Sequence, residues 1–202
     1  MTVDQVLAQT VSRLKVINGI AVSDKDLFLV CGDSKGYGYS IWRMTHDFKD
    51  AKQVNQQPVS GCCGQMDIQV AGADYLLAEN TNYKWARYDR DGKPLGAWGK
   101  GMMVQPGKEP PPDCFGGCCN PMNVRVCKTG DVLTAESEGV IKRYSAKGDF
   151  LGTVGKVPLT GGCKNVAVAV TADADRVYFC DQPNSKVIIL AKKKPKESTG
   201  GQ

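Results

Sequence analysis

The chain has 202 residues, a formal net charge of +5 and a single histidine. Four of its lysines lie within residues 192–196, so the rest of the chain is close to neutral, unlike a nucleic-acid-binding protein, whose folded body carries basic residues. No apolar run reaches the roughly 18 residues of a transmembrane helix, and one histidine excludes a metal site built from several histidines.

An N-terminal segment is followed by a set of repeated strands. Apolar residues in Thr2–Val16 recur at helical spacing, which predicts a short helix there, with a strand that closes a ring as the alternative. From residue 17 onwards the chain contains four repeats. Each repeat has three apolar strands in succession, and the middle two repeats have a fourth strand. The four first strands begin at Gly19, Asp67, Asn123 and Asn165.

These repeats predict an all-β fold. Short strands separated by Gly, Asp and Asn turns, recurring at roughly 40 to 55 residues, are typical of a β-propeller with one blade per repeat. The predicted propeller covers residues 1–191, with blades at about 17–58, 59–113, 114–160 and 161–191, followed by a disordered basic tail at 192–202. Propellers have four to eight blades, so four repeats fit a small propeller or part of a larger one.

One pattern carries a family resemblance. The second strands end in a small and an acidic residue, at Ala78-Glu79, Ala135-Glu136 and Cys180-Asp181, and Arg87–Gly92 reads Arg-Tyr-Asp-Arg-Asp-Gly. Over residues 17–191 this resembles NHL repeats. The Cys-Cys-Gly and Cys-Cys-Asn-Pro-Met-Asn segments also resemble a cysteine-rich bacterial subset of propellers of unknown function. The resemblance implies a propeller fold of NHL-like four-stranded blades, but no particular activity.

Three repeats carry cysteine just before their first strand, in loops that a propeller brings to one mouth of its axial channel. The predicted cluster comprises Cys62, Cys63, Cys114, Cys118, Cys119 and Cys163, with Met66 and Met122 close by. Thiolates and thioethers suit zinc, copper or an iron–sulfur cluster. Disulfides between blades are the alternative, and strain within a bond between adjacent cysteines favours pairing with more distant partners. The sequence leaves both open.

A second set of residues offers oxygen ligands. Asp67, Asn123 and Asn165 each begin a first strand, and carboxylate and amide oxygens converging on an axis could hold calcium. The set also resembles the axial metal site of propeller lactonases, where an acidic residue and asparagines hold a divalent ion. Capping of their own backbone at the strand starts is the alternative interpretation.

The leading functional hypothesis is a non-enzymatic binding or scaffold module, whose channel mouth is organised by the cysteine loops. One alternative is a metal-dependent, lactonase-like hydrolase that uses the oxygen ligands. Another is an electron-transfer or metal-handling protein that uses the sulfur ligands. The chain has no phosphate-binding Gly-x-x-x-x-Gly-Lys loop and no Gly-x-Ser-x-Gly elbow, so neither phosphoryl transfer nor serine-hydrolase chemistry has support.

The expected partner is a protein or small molecule at the channel mouth. We expect neither a nucleic-acid partner nor a membrane-spanning segment. A four-blade unit with an open side exposes strand edges, which predicts a homodimer. Paired cysteines favour an extracytoplasmic location, periplasmic or secreted, if a leader sequence was lost upstream, and a cytoplasmic location otherwise.

Overall fold

The computed structural model describes residues 16–32, 38–103, 108–117, 119–159, 164–171 and 173–192. Within them, fifteen strands form four antiparallel sheets, and two single-turn 3-10 segments follow the second strands of two sheets, at Asn80–Asn82 and Gln182–Asn184. Three of the sheets have four strands and the last has three. No helix in the described part of the chain is long and apolar enough to cross a membrane.

Each sheet is formed by consecutive strands of one repeat. The first sheet comprises β1 (Ile17–Val22), β2 (Leu27–Gly32), β3 (Tyr39–Met44) and β4 (Lys52–Gln53). The second comprises β5 (Ile68–Ala71), β6 (Asp74–Glu79), β7 (Lys84–Tyr88) and β8 (Pro94–Trp98). The third comprises β9 (Asn123–Val126), β10 (Val132–Ala135), β11 (Val140–Tyr144) and β12 (Phe150–Lys156). The fourth comprises β13 (Val166–Val170), β14 (Arg176–Asp181) and β15 (Lys186–Ala191).

The four sheets are arranged as the blades of a β-propeller, which confirms the predicted fold class. The first strand of each sheet packs beside the first strand of the next, so that β1, β5, β9 and β13 line the axis in chain order. Blade 1 has a short fourth strand, β4, whose two exposed residues leave no apolar pattern to detect. The N-terminal segment before Val16 and the tail after Lys192 lie outside the described residues.

Apolar side chains hold each junction between neighbouring blades. Successive strand residues point to opposite faces of a sheet, so the second strands of blades 2 and 3 supply residues to the junctions on both sides. At the first junction Phe28 and Val30 meet Tyr75 and Leu77. The second junction joins Leu76, Ala78 and Trp85 to Val124, Val132 and Tyr144. The third joins Leu133, Ala135 and Ile141 to Val166, Val168 and Phe179. Burying one such large side chain stabilises the fold by about 1.5–3 kcal/mol.

Candidate functional site at the channel mouth

The loops that precede β5 and β9 meet at the inner end of their blades. A disulfide joins Cys62 to Cys119, with an S–S distance of 2.10 Å. The Sγ atom of Cys63 lies 3.0 Å from that of Cys119 and 3.3 Å from that of Cys62. Three sulfur atoms therefore lie within 4.8 Å of one another, where they could share a bond or, once reduced, a soft metal ion.

Asn80 fixes the loop that carries Cys62 and Cys63. Its buried side chain accepts a hydrogen bond from the backbone N–H of Cys62, and donates to the carbonyl oxygens of Cys62 and Gln65. Cys63 and Gly64 both have positive φ, at 60° and 66°, which turns the chain sharply. The turn leaves Cys63 exposed beside the buried Cys119.

Gln65 ties three blades together near the axis. It follows the cysteine turn of blade 2, and its side-chain amide donates to the carbonyl oxygens of Met122 in blade 3 and Val166 in blade 4, at 2.9 and 2.8 Å. This bridge explains why the loops converge: the starts of three inner strands are held by one side chain.

The other predicted sulfur ligands are buried or lie outside the described residues. Cys114 is buried and lies next to Asp113, and the three-sulfur cluster does not include it. Met66 and Met122 are fully buried in the blade junctions. Cys118 and Cys163 lie outside the described residues.

Three further cysteines, which lie outside the predicted sulfur cluster, differ in burial. Cys31 and Cys127 are buried, and burial raises the pKa of Cys31 to about 11, which keeps its thiol protonated. Cys180 is only half-buried, because it lies on the face of blade 4 that points away from blade 3.

Two of the predicted oxygen ligands form hydrogen bonds between blades. Asp67 accepts from the backbone N–H of Val124 and the side-chain amide of Asn123, and it forms an ion pair with Arg125 at 2.5 Å. Asn123 in turn accepts from the backbone N–H of Val168 at 2.9 Å. Burial raises the pKa of Asp67, and Arg125 opposes that shift. Both side chains thus connect one inner strand to the next.

Asn165 does not share the position of Asp67 and Asn123. Strand pairing places Asn123 opposite Ala135 and Ala167 opposite Cys180, and these partners occupy equivalent positions in β10 and β14. The structural equivalent of Asn123 in blade 4 is therefore Ala167, two residues after Asn165. Asn165 is exposed and lines a shallow pocket of about 510 Å³ together with Cys63, Gln182 and Pro183.

A buried ion pair was not predicted. Lys142 lies 2.5 Å from Glu136 and donates to the carbonyl oxygen of Cys114, with its ammonium 4.9 Å from the centre of the Phe115 ring. Burial raises the pKa of Glu136, and Lys142 opposes the shift. A sequence signal existed, because Lys142 occupies a third-strand position that is apolar in the other three blades, at Trp42, Ala86 and Ile188.

This ion pair lies at one side of a pocket of about 410 Å³. Pro110 and Pro112 also line the pocket, and so do Glu109 and Lys156, which form an ion pair. The pocket thus combines an apolar wall with charged groups of both signs.

No family model matches the chain, and no curated protein matches its sequence at a significant level. Solved structures do match. A protein of unknown function from Bacteroides thetaiotaomicron VPI-5482 is 13% identical, with a TM-score of 0.61 over 88% of this chain and 42% of its own. A chain of a nidogen/laminin complex is 15% identical, with a TM-score of 0.60 over 89% and 66%. A protein provisionally named 6-phosphogluconolactonase, from Bacteroides uniformis ATCC 8492, is 12% identical, with a TM-score of 0.54 over 87% and 53%.

At identities of 12 to 15%, these neighbours support the propeller fold and nothing finer. The chain spans only 42 to 66% of the length of the three matched structures.

Proposed function

We propose that the chain is a binding or scaffold propeller, whose channel mouth is held in shape by the disulfide between Cys62 and Cys119. The observation that carries this proposal is the position of that bond. It joins the loops of neighbouring blades beside Gln65, which bridges three inner strands. A preformed rim binds a partner without the entropic cost of ordering loops.

The pocket beside Lys142 supplies a place for a small-molecule ligand or a side chain of a protein partner. Its volume of about 410 Å³ is within the range of small-molecule sites. Its charged groups, Glu136, Lys142 and the Glu109–Lys156 pair, would orient a ligand that carries both a basic and an acidic group.

The hydrogen bonds that Asp67 accepts favour a binding role over a lactonase-like hydrolase. A hydrolytic metal site needs carboxylate or amide oxygens free to bind an ion and an open position for water. The Oδ2 atom of Asp67 already accepts three hydrogen bonds, from Asn123, Val124 and Arg125. The equivalent position in blade 4 is an alanine.

A second candidate function, soft-metal handling, is favoured by one specific observation. If the disulfide is reduced, Cys62, Cys63 and Cys119 would present three sulfur ligands within 4.8 Å. Copper(I) and zinc are the ions that such a ligand set favours. The disulfide itself favours an oxidising, extracytoplasmic compartment, where the three-thiolate form would be rare.

The test has two arms on protein purified without reductant. The metal content and free-thiol count of the native chain are measured first; we expect a Cys62–Cys119 bond and no stoichiometric metal. Zwitterionic small molecules, such as amino acids and short peptides, are then screened for a rise in Tm that is lost in Lys142→Met. Stoichiometric copper or zinc with no disulfide would support metal handling instead. Lactone hydrolysis that depends on a divalent ion and is lost in Asp67→Ala would overturn the binding role.

A further inference from the structure

Cys63 is an exposed thiol that lies against a disulfide. Its Sγ atom is 3.0 Å from that of Cys119 and 3.3 Å from that of Cys62, and these two sulfur atoms are bonded to each other. Cys119 is 1% exposed and Cys62 is half-buried, so Cys63 is the most accessible of the three cysteines. A molecule in solution can therefore reach Cys63 more easily than it can reach either sulfur atom of the bond.

The backbone of the loop holds Cys63 in this position. Cys63 and Gly64 both have left-handed φ values, which are uncommon for a residue other than glycine. Asn80 fixes the preceding residue, because its side chain binds both the N–H and the carbonyl oxygen of Cys62. Disulfide exchange requires the attacking sulfur to have access to its target, and this turn keeps the Cys63 sulfur close to that of Cys119.

The shallow pocket beside blade 4 opens onto Cys63. It has a volume of about 510 Å³, and its other lining residues, Asn165, Gln182 and Pro183, are all exposed. That volume is within the range of small-molecule sites. The side-chain amides of Asn165 and Gln182 are neutral, and each can donate and accept hydrogen bonds, as peptide groups do. The pocket therefore suits a low-molecular-weight peptide thiol or its disulfide.

We propose that Cys62, Cys63 and Cys119 form a thiol–disulfide exchange site for low-molecular-weight peptide thiols. Cys63 reacts with the small molecule, Cys119 resolves the mixed disulfide, and Cys62 then takes over the bond to Cys119. Cys119 resolves the mixed disulfide in preference to Cys62, because a bond between adjacent cysteines is strained. This activity goes beyond the proposed binding role, although both depend on the Cys62–Cys119 bond.

Each step replaces one S–S bond by another. In the reduced chain, the Cys63 thiolate attacks a small disulfide, so that a mixed disulfide forms on Cys63 and one small thiolate leaves. The Cys119 thiolate then attacks the Sγ atom of Cys63 and releases the second small thiolate. Finally the Cys62 thiolate attacks the Sγ atom of Cys119, and Cys63 leaves as a thiolate. Overall, Cys62 and Cys119 lose two electrons and two protons, and the small disulfide is reduced to two thiols.

Oxidation of the full chain by oxidised glutathione tests this proposal. The chain is reduced, freed of reductant without oxygen, mixed with oxidised glutathione and quenched with acid at intervals, and its cysteines are mapped by mass spectrometry. We expect a transient glutathione adduct on Cys63, followed by the Cys62–Cys119 bond with Cys63 again a thiol. Cys63→Ser should form that bond about tenfold more slowly, because the small disulfide must then react with a less accessible sulfur atom. Cys180→Ser is the matched control and should keep the wild-type rate, since Cys180 is also partly exposed but does not belong to the three-sulfur cluster.

Two further variants test the resolving cysteine and the pocket. Cys119→Ala should accumulate the glutathione adduct on Cys63, because the sulfur atom that resolves it is missing. Circular dichroism checks that this chain folds, and the rate of Cys63→Ser decides the question if it does not, since Cys63 is exposed. Gln182→Ala should slow adduct formation by about threefold, the effect of one lost hydrogen bond. It should not slow the reaction with cystamine, a small disulfide that has no peptide group.

The outcomes separate this proposal from the proposed function. A first adduct on Cys62, the wild-type rate in Cys63→Ser, or a folded Cys119→Ala chain without the adduct would overturn the exchange site and leave the binding role standing. A native chain that lacks the Cys62–Cys119 bond would contradict both. Equal rates for Gln182→Ala and the wild type with oxidised glutathione would overturn the assignment of peptide thiols as the substrate class.

Discussion

The Sγ atom of Cys63 lies 3.0 Å from the Sγ atom of Cys119, although Cys119 is bonded to another cysteine. An exposed thiol this close to a disulfide is placed to attack it, because exchange requires a thiolate to reach one of the two sulfur atoms. The loop thus carries two alternative partners for one buried cysteine.

Cys62→Ser should therefore retain a disulfide by moving it to Cys63. With Cys62 removed, oxidation would join Cys63 to Cys119, and peptide mapping under non-reducing conditions would detect the new pair. Cys63→Ser is the matched control and should keep the original bond. A Cys62→Ser chain in which the thiols of both Cys63 and Cys119 react with an alkylating reagent, under air and without reductant, would contradict this prediction.

Asp67→Ala should lower the free energy of unfolding by about 2 kcal/mol, because the backbone N–H of Val124 and the guanidinium of Arg125 lose their acceptor. Asp67→Asn should cost less, since an amide oxygen can still accept from Val124. Urea denaturation measures both. Asn165→Ala is the control: its exposed side chain makes no hydrogen bond within the described ranges, so its effect should stay within about 0.5 kcal/mol. Equal losses in all three variants would refute the assigned role.

Lys142→Met should destabilise the chain by about 3–5 kcal/mol, because it leaves Glu136 buried without its cation. The double variant Lys142→Met with Glu136→Leu should recover much of that loss, since no unpaired charge remains. Urea denaturation of the wild type, the two single variants Lys142→Met and Glu136→Leu, and the double variant gives the coupling energy between the two side chains. Additive losses would show that the two side chains do not act as a pair.

The stability of the folded chain should depend on pH through Glu136. Burial raises the pKa of Glu136, so the folded chain holds this proton to a higher pH than the unfolded chain does. The contribution of Glu136 therefore lowers the free energy of unfolding as the pH rises from about 4.3, the ordinary pKa of glutamate, through the raised pKa. Glu136→Gln should flatten the profile above about pH 4.3, and parallel profiles for the two chains would contradict the prediction.

The sequence predicted the fold and the meeting of two cysteine loops because both follow from the repeat. Alternation of apolar residues aligns Gly19, Asp67 and Asn123 at one position, and strand pairing agrees with that alignment. Once the blades stack, the loops before β5 and β9 must approach each other. The disulfide pairing could not be predicted, because the sulfur atoms of Cys62, Cys63 and Cys119 all lie within 4.8 Å of one another and either of the first two could pair with Cys119.

The fourth repeat shows where pattern matching fails. An Asn-Val-x-Val motif begins at both Asn123 and Asn165, yet pairing with β14 aligns Ala167 with Asn123. A shift of two residues keeps every side chain on the same face, so hydrophobicity alone does not detect it. The burial of Lys142 was not predicted for a different reason. Its ammonium is stabilised by Glu136, which directly follows the neighbouring strand β10 and comes close to Lys142 only in the folded chain.

The disulfide also limits the length to which the chain can be extended by a pulling force. It connects residues 57 positions apart, which enclose all of blade 2. A chain pulled from its two ends can lengthen only through the segments outside this covalent loop, so its contour length is shorter by roughly 200 Å than that of the reduced chain. Blade 2 would then survive mechanically as a closed ring of polypeptide after its neighbours had been unravelled.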